Sequence, residues 1–279
     1  MLQFGLELEG GFLKSKNFIN TNNQLKEKDN YKGEIYLKED CSATGVPSKY
    51  GHEYNSQQEF ISKEPIIEEE ISNHIQDFKV LFEELDFKYY PINCGLHIHF
   101  SPVEGWNIDH LKKFLPNLIS GLSPFIKFFS QRKKQDYCYH TYSHTNLLRF
   151  LLEDLPRFNT VEDFKKEYKK LNGLSNGISD SITEGENYNR NKLRSIQFGK
   201  KHIITLFTRH NSFELRFFPP EIELVESFIN LIKYFWYLEE DISKKKLMNN
   251  NMFDTLKLIG REEDIKYYRD YYNYWIREE

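Results

Sequence analysis

Cys94-Gly-Leu-His-Ile-His-Phe100 alternates apolar side chains with imidazoles. Leu96, Ile98 and Phe100 share one parity; His97 and His99 share the other. In an extended strand, side chains two apart face the same side. The segment therefore reads as a strand with one apolar face and one face carrying two histidines. Two other stretches repeat the pattern. Near the start, Phe4, Leu6 and Leu8 alternate with Glu7 and Glu9; late in the chain, Phe213, Leu215 and Phe217 alternate with Glu214 and Arg216. Stacked in one sheet, the three strands would gather carboxylates, imidazoles and a guanidinium on a single surface.

Each pair taken alone has a plainer reading. Glu7 and Glu9 fit an ordinary solvated strand face, His97 and His99 fit hydrogen-bonded surface histidines, and Glu214 with Arg216 fits a structural ion pair. Neighbouring carboxylates repel unless a cation or donors neutralise them. Hard ions such as Mg²⁺ and Mn²⁺ favour oxygen-rich surfaces, and imidazole suits Zn²⁺, Mn²⁺ or Fe²⁺. Three such pairs at the same parity, on strands of the same apolar pattern, outweigh the separate readings.

The rest of the chain supplies strands and helices without a regular βαβ rhythm. Residues 1–10 read as the first strand, 33–38 as a second, and 57–62 as a third, stopped by Pro65, with Glu59 on the polar side if Phe60 faces inward. Apolar residues at three- and four-residue steps predict a helix over 66–86, with Pro65 just before or at its first turn. A second helical region spans Ile108 to Ile126, bent or split by Pro116 and Pro124. Helical stretches follow at 146–155 and 160–171, and 172–192 reads as a polar loop or lid. Residues 194–207 and 212–218 read as a strand pair, 221–238 as a helix, and the remainder as helical. The expected fold is α+β, an antiparallel sheet with helices on one face and an open polar face on the other.

Composition excludes several classes. The net charge of −4 argues against a dedicated nucleic-acid binder. No apolar run reaches the roughly 18 residues of a membrane span, and Glu7 and Glu9 interrupt any signal peptide. Cys41, Cys94 and Cys138 are too few and too scattered for a disulfide framework, so a reducing, cytoplasmic setting is expected. Cys138, His140 and His144 have only loose zinc-like spacing. No P-loop, Rossmann glycine fingerprint, H-E-x-x-H or G-x-S-x-G motif occurs.

The order of motifs is distinctive. Phe4-Gly-Leu-Glu-Leu-Glu9 is followed by Glu39-Asp-Cys-Ser42, Glu59-Phe-Ile-Ser62, Cys94-Gly-Leu-His-Ile-His99, Arg132 with Tyr137-Cys138, and Phe213-Glu-Leu-Arg-Phe217. This succession resembles the amidoligase family, carboxylate–amine ligases related to glutamine synthetase and glutamate–cysteine ligase. The resemblance covers residues 1 to about 240 of an expected single catalytic domain, with 241–279 as a helical extension. It implies a glutamine-synthetase-like curved antiparallel sheet with helices packed on its outer face. It further implies ATP and Mg²⁺ or Mn²⁺ as cofactors, and small-molecule or peptide carboxylates and amines as substrates.

Carried over residue by residue, the resemblance makes Glu7, Glu9, Glu59, His97 and Glu214 metal ligands. It makes His99, Arg216, Arg209 and Arg194 ATP contacts, and Arg216, Glu59 and Glu214 the catalytic group. Asp40, Ser42 and Arg132 become substrate contacts. Relatives with this sheet assemble, so a homo-oligomer is an open expectation; nucleic-acid and membrane partners are not expected. Two other readings use the same surface: a metal-dependent hydrolase, and an ATP-binding module without turnover.

Overall fold

Seven strands form one antiparallel sheet, and the three patterned segments lie side by side in it. The computed structural model describes residues 1–13, 35–39, 54–89, 94–129, 151–175, 204–208, 210–239, 252–258 and 260–275. The strands are β1 (Leu2–Leu13), β2 (Ile35–Glu39), β3 (Tyr54–Ser62), β4 (Ile66–Ile67), β5 (Leu96–Pro102), β6 (Ile204–Thr205) and β7 (Phe213–Phe218). Their order is β2-β3-β1-β5-β7-β6, with β4 also paired to β1. The helices are α1 (Ile71–Leu85), α2 (Ile108–Phe129), α3 (Val161–Ser175), α4 (Ile222–Tyr237), α5 (Met252–Leu258) and α6 (Ile265–Trp275).

The register explains why the polar face holds together. β1 pairs with β5 so that Leu6 meets Ile98, Glu7 meets His97 and Phe4 meets Phe100. It pairs with β3 so that Leu8 meets Phe60 and Glu9 meets Glu59. Leu2, Phe4, Leu6 and Leu8 are each fully buried on the helix side. A slip of one residue would turn all four to the polar face. At about 1.5–3 kcal/mol per side chain, that costs on the order of 10 kcal/mol, so the apolar parity fixes the placement of the charged one. β7 departs from simple pairing: the register shifts between Leu96↔Phe218 and Ile98↔Leu215, a bulge opposite His97. Bulges re-aim side chains, and here Phe217 and Phe218 are both buried while Arg216 stays on the polar side.

Helices α1, α2 and α4 cover the apolar face, and the aromatic rings interlock there. Phe100 meets Phe114 and Phe213 edge-on at 6.0 and 5.7 Å, and Phe218 stacks on Phe228 at 3.8 Å. Met252, Leu256 and Tyr268, from the expected C-terminal extension, belong to the same core.

Several boundaries differ from expectation. The first strand runs on to Leu13, and the third begins at Tyr54, ahead of its expected start at residue 57. Ile66 and Ile67 do not open a helix; they pair with Phe4 and Gln3, and helix α1 starts at Ile71. Pairing wins because Leu2 N–H donates to the Glu68 carboxylate at 3.0 Å and Glu68 N–H to the Leu2 carbonyl at 3.0 Å, clamping that turn to β1. Helix α2 runs through Pro116 and Pro124 unbroken. Its residues 114–126 are buried almost throughout, and packing of that extent outweighs the backbone bonds two prolines remove. Helix α3 extends to Ser175, into the expected loop; 176–200 lies outside the described residues, as does most of the expected strand over 194–207, of which Ile204 and Thr205 are extended. No helix among the described residues is long and apolar enough to cross a membrane.

A buried polar link ties α1 to the sheet. Where β3 leaves β1, Ser62 Oγ accepts the Leu6 N–H at 3.0 Å and shares a 2.9 Å hydrogen bond with His74 Nε2. Burial lowers the His74 pKa from 6.5 to about 4. The unfolded chain then binds a proton that the folded chain refuses, so stability is lost as pH falls from 6.5 towards 4. At about 1.4 kcal/mol per pH unit, the loss is about 3 kcal/mol. Urea unfolding of wild type and His74→Gln at both ends of that window checks it: the variant is expected to lose less stability on acidification, and an equal loss would contradict the assignment.

Candidate functional site

Glu7 and Glu9 from β1, Glu59 from β3, His97 and His99 from β5, and Glu214 and Arg216 from β7 converge on the polar face. His97 is at the centre and only 6% exposed. Its Nδ1 lies 2.9 Å from Glu7 Oε2, 3.8 Å from Glu214 Oε1 and 3.9 Å from Glu59 Oε1; its Nε2 lies 3.4 Å from Glu9 Oε1. His99 Nε2 lies 3.2 Å from Glu7 Oε1 and 3.6 Å from Glu214 Oε1. Arg216 Nε donates to Glu214 Oε1 at 2.5 Å.

These groups shift one another's charge. Burial alone would lower the His97 pKa, but the charge of Glu9, the hydrogen bond that the ring donates to Glu7 and the charge of Glu214 together raise it, against Arg216. Burial pushes the Glu7 carboxyl up, yet the hydrogen bonds and charges of His97 and His99 win and hold it well below the usual carboxylate range. Burial opposes the Arg216 charge, and Glu214 more than restores it, so the guanidinium stays protonated. Four carboxylates outnumber the guanidinium and two imidazoles, so the face is negative whichever form the imidazoles take.

The donors fall into two groups. Glu7, His97 and Glu214 each offer a ligand atom, all within 4.8 Å of one another, and so do Glu9, Glu59 and His97. His97 belongs to both. Each group combines two carboxylates with an imidazole, a donor set that fits a divalent cation. Glu9, Glu59 and Glu214 are nearly buried, at 8, 4 and 7% exposure. Such burial of like charges is costly unless compensated, and a cation in each group would compensate it.

The pairs singled out in the sequence leave out three supporting residues. Gly95 N–H donates to Glu9 Oε2 at 2.6 Å and fixes that carboxylate. Ser212 Oγ lies 3.3 Å from His99 Nδ1. Gly5, between Gln3 and Glu7 at the polar parity, leaves bare floor beside Glu7 and His99. A cleft of about 300 Å³ opens there, walled by Tyr36, Ile61, Lys63, Ser101 and His210. Ser212 shares the parity of Glu214 and Arg216, and Gly5 that of Glu7 and Glu9, so extending each pattern by one step finds both.

All seven expected residues among those described come together. Asp40, Ser42, Arg132, Arg194 and Arg209 lie outside the described residues, as do Cys138, His140 and His144. No protein-family model matches the chain, and no curated protein matches it.

Proposed function

We propose that this chain is an ATP-dependent carboxylate–amine ligase whose Glu/His face holds two divalent cations, Mg²⁺ or Mn²⁺. One observation carries the reading: two three-donor groups share His97 and adjoin an arginine and a cleft. Glu7 and Glu214 would hold one cation and Glu9 and Glu59 the other, with His97, whose neutral ring has one free lone pair, completing one of the two sets. Bound there, the cations would neutralise phosphate oxygens during phosphoryl transfer.

The protein's own groups have distinct tasks. Arg216, anchored on Glu214, offers a permanent positive charge to the migrating phosphoryl group. The cleft beside Glu7 and His99 takes the nucleotide. A substrate carboxylate oxygen attacks the γ-phosphorus, its bond to the β-phosphate oxygen breaks, and ADP leaves. The resulting acyl phosphate is the electrophile that a free carboxylate is not. An amine attacks the acyl carbon and loses a proton, phosphate departs, and an amide remains.

An ADP-release assay with pooled amino acids, polyamines and peptides, followed by mass spectrometry of the products, tests the reading. The expected result is ADP with an amide product, dependent on Mg²⁺ or Mn²⁺. Metal-dependent cleavage of a substrate without nucleotide would replace it with the hydrolase reading, and nucleotide binding without ADP release across the panel would indicate a binding module.

A further inference from the structure

Gly5 sits inside β1, a central strand of the sheet, and pairs with His99. A glycine there weakens a strand, because it has no side chain to pack and more backbone freedom to lose. Glycines elsewhere have structural reasons. A Cβ on Gly10 would run into the Phe87 ring, and one on Gly121 into the Phe235 ring. Gly105 and Gly260 take φ of 86° and 69°, where other residues are strained.

None of these reasons holds for Gly5. It is not among the residues of positive φ. The β1–β5 register runs unbroken from Leu2 to Leu8, so it marks no bulge. Among the described residues, an added Cβ would meet only His99 Cβ, at 3.6 Å, an ordinary contact. The fold has room for an alanine here.

What the missing side chain leaves is space on the polar face. The cleft of about 300 Å³ runs over this gap, between Gln3 and Glu7. Tyr36 and Ile61, paired in register, wall it on the β3 side, and Ser101 and His210 on the β5 side. Gln3 Nε2 donates to Ser101 Oγ at 3.0 Å and closes the end away from Glu7. An aromatic and an aliphatic wall facing polar groups across a bare peptide floor suit a flat ring system with polar edges. Strand positions two apart are separated by about 7 Å, so an occupant running from Glu7 over Gly5 to Gln3 spans about 13 Å. A nucleotide whose phosphates meet cations at Glu7 would carry its sugar and base along that line.

We propose that Gly5 is a specificity-determining residue: its missing side chain lets the nucleoside half of the nucleotide lie against the β1 backbone, so the cleft favours a nucleotide over bare polyphosphate. The identity of the occupant rests on the ligase reading; the open floor does not.

The test uses the full chain and its Gly5→Ala and Gly5→Val variants. Thermal unfolding without ligand comes first. An alanine that fits the native backbone restricts only the unfolded chain, so the Tm of Gly5→Ala should equal that of wild type or exceed it by up to about 3 °C. Calorimetry then measures Mn²⁺ alone, tripolyphosphate with Mg²⁺, and the β,γ-imido analogue of ATP with Mg²⁺. Wild type is expected to bind the analogue more tightly than tripolyphosphate. Crowding a packed contact should lower analogue affinity in Gly5→Ala, and at least about tenfold in Gly5→Val. Mn²⁺ and tripolyphosphate affinities should be unchanged in both.

A lower Tm in Gly5→Ala would make the glycine structural and overturn the inference. Undiminished analogue affinity in Gly5→Val would overturn it with the ligase reading intact. So would equal losses for tripolyphosphate and the analogue, or a wild type that binds the two alike, because the nucleoside would then make no contact over Gly5. A wild-type chain that binds no analogue ends the ligase reading and this inference together.

Discussion

Glu7→Gln and Glu214→Gln are each expected to abolish metal-dependent ADP release while leaving the fold intact. Both residues belong to the group formed with His97. An amide keeps the shape of the carboxylate but not its charge, and a hard divalent cation depends on that charge. The fold should survive because the apolar parity of β1 and β7, not the acids, fixes the strands: Leu6, Leu8, Phe213 and Leu215 are completely buried. Removing one of four crowded carboxylates also relieves repulsion in the metal-free protein. The check pairs an ADP-release assay with thermal unfolding in chelator. Full metal-dependent turnover in either variant would contradict the assignment, whereas loss of turnover together with loss of folding would show that the acids hold the sheet rather than cations.

Arg216→Lys is expected to lower the rate of ADP release by a factor on the order of 10³, the lower end of what an arginine on a transferring phosphoryl group contributes. Lysine keeps the charge and loses the planar fork, so the two residues are not interchangeable at such a position. The side chain is held in place by Nε donating to Glu214, on a stretch of β7 turned by the bulge opposite His97. Arg216 is not among the residues that offer a ligand atom, so Mn²⁺ affinity should change little. A large loss of rate with metal binding retained separates a role in the reaction from a role in holding ions. Equal loss of both would mean that Arg216 serves only to orient Glu214.

The sheet and its polar face were legible because strand periodicity is short and survives without context. Alternation over Phe4–Glu9, Leu96–Phe100 and Phe213–Phe217 carries parity directly, and parity decides which residues share a face. Context decided the misread parts. Ile66 and Ile67 continue the helical spacing of α1 by eye, but β1 offered them unpaired backbone groups, and pairing prevailed. Pro116 and Pro124 are helix breakers locally, and a helix buried along most of its length absorbs them. The second layer of the site was hidden for a related reason: Gly95 acts through its backbone N–H, and Ser212 through a hydroxyl that matters only because β7 sets it beside His99. Neither residue type announces chemistry on its own.

The centre can be tested without knowing any substrate. Titration of Mn²⁺ into the metal-free chain, followed by calorimetry and electron paramagnetic resonance, counts the ions and reports whether they are near each other. The two groups meeting at His97 predict two Mn²⁺ per chain, magnetically coupled, with at least one lost in His97→Gln. Zero or one ion in wild type, or two ions undisturbed in His97→Gln, would contradict a shared two-cation centre on this face.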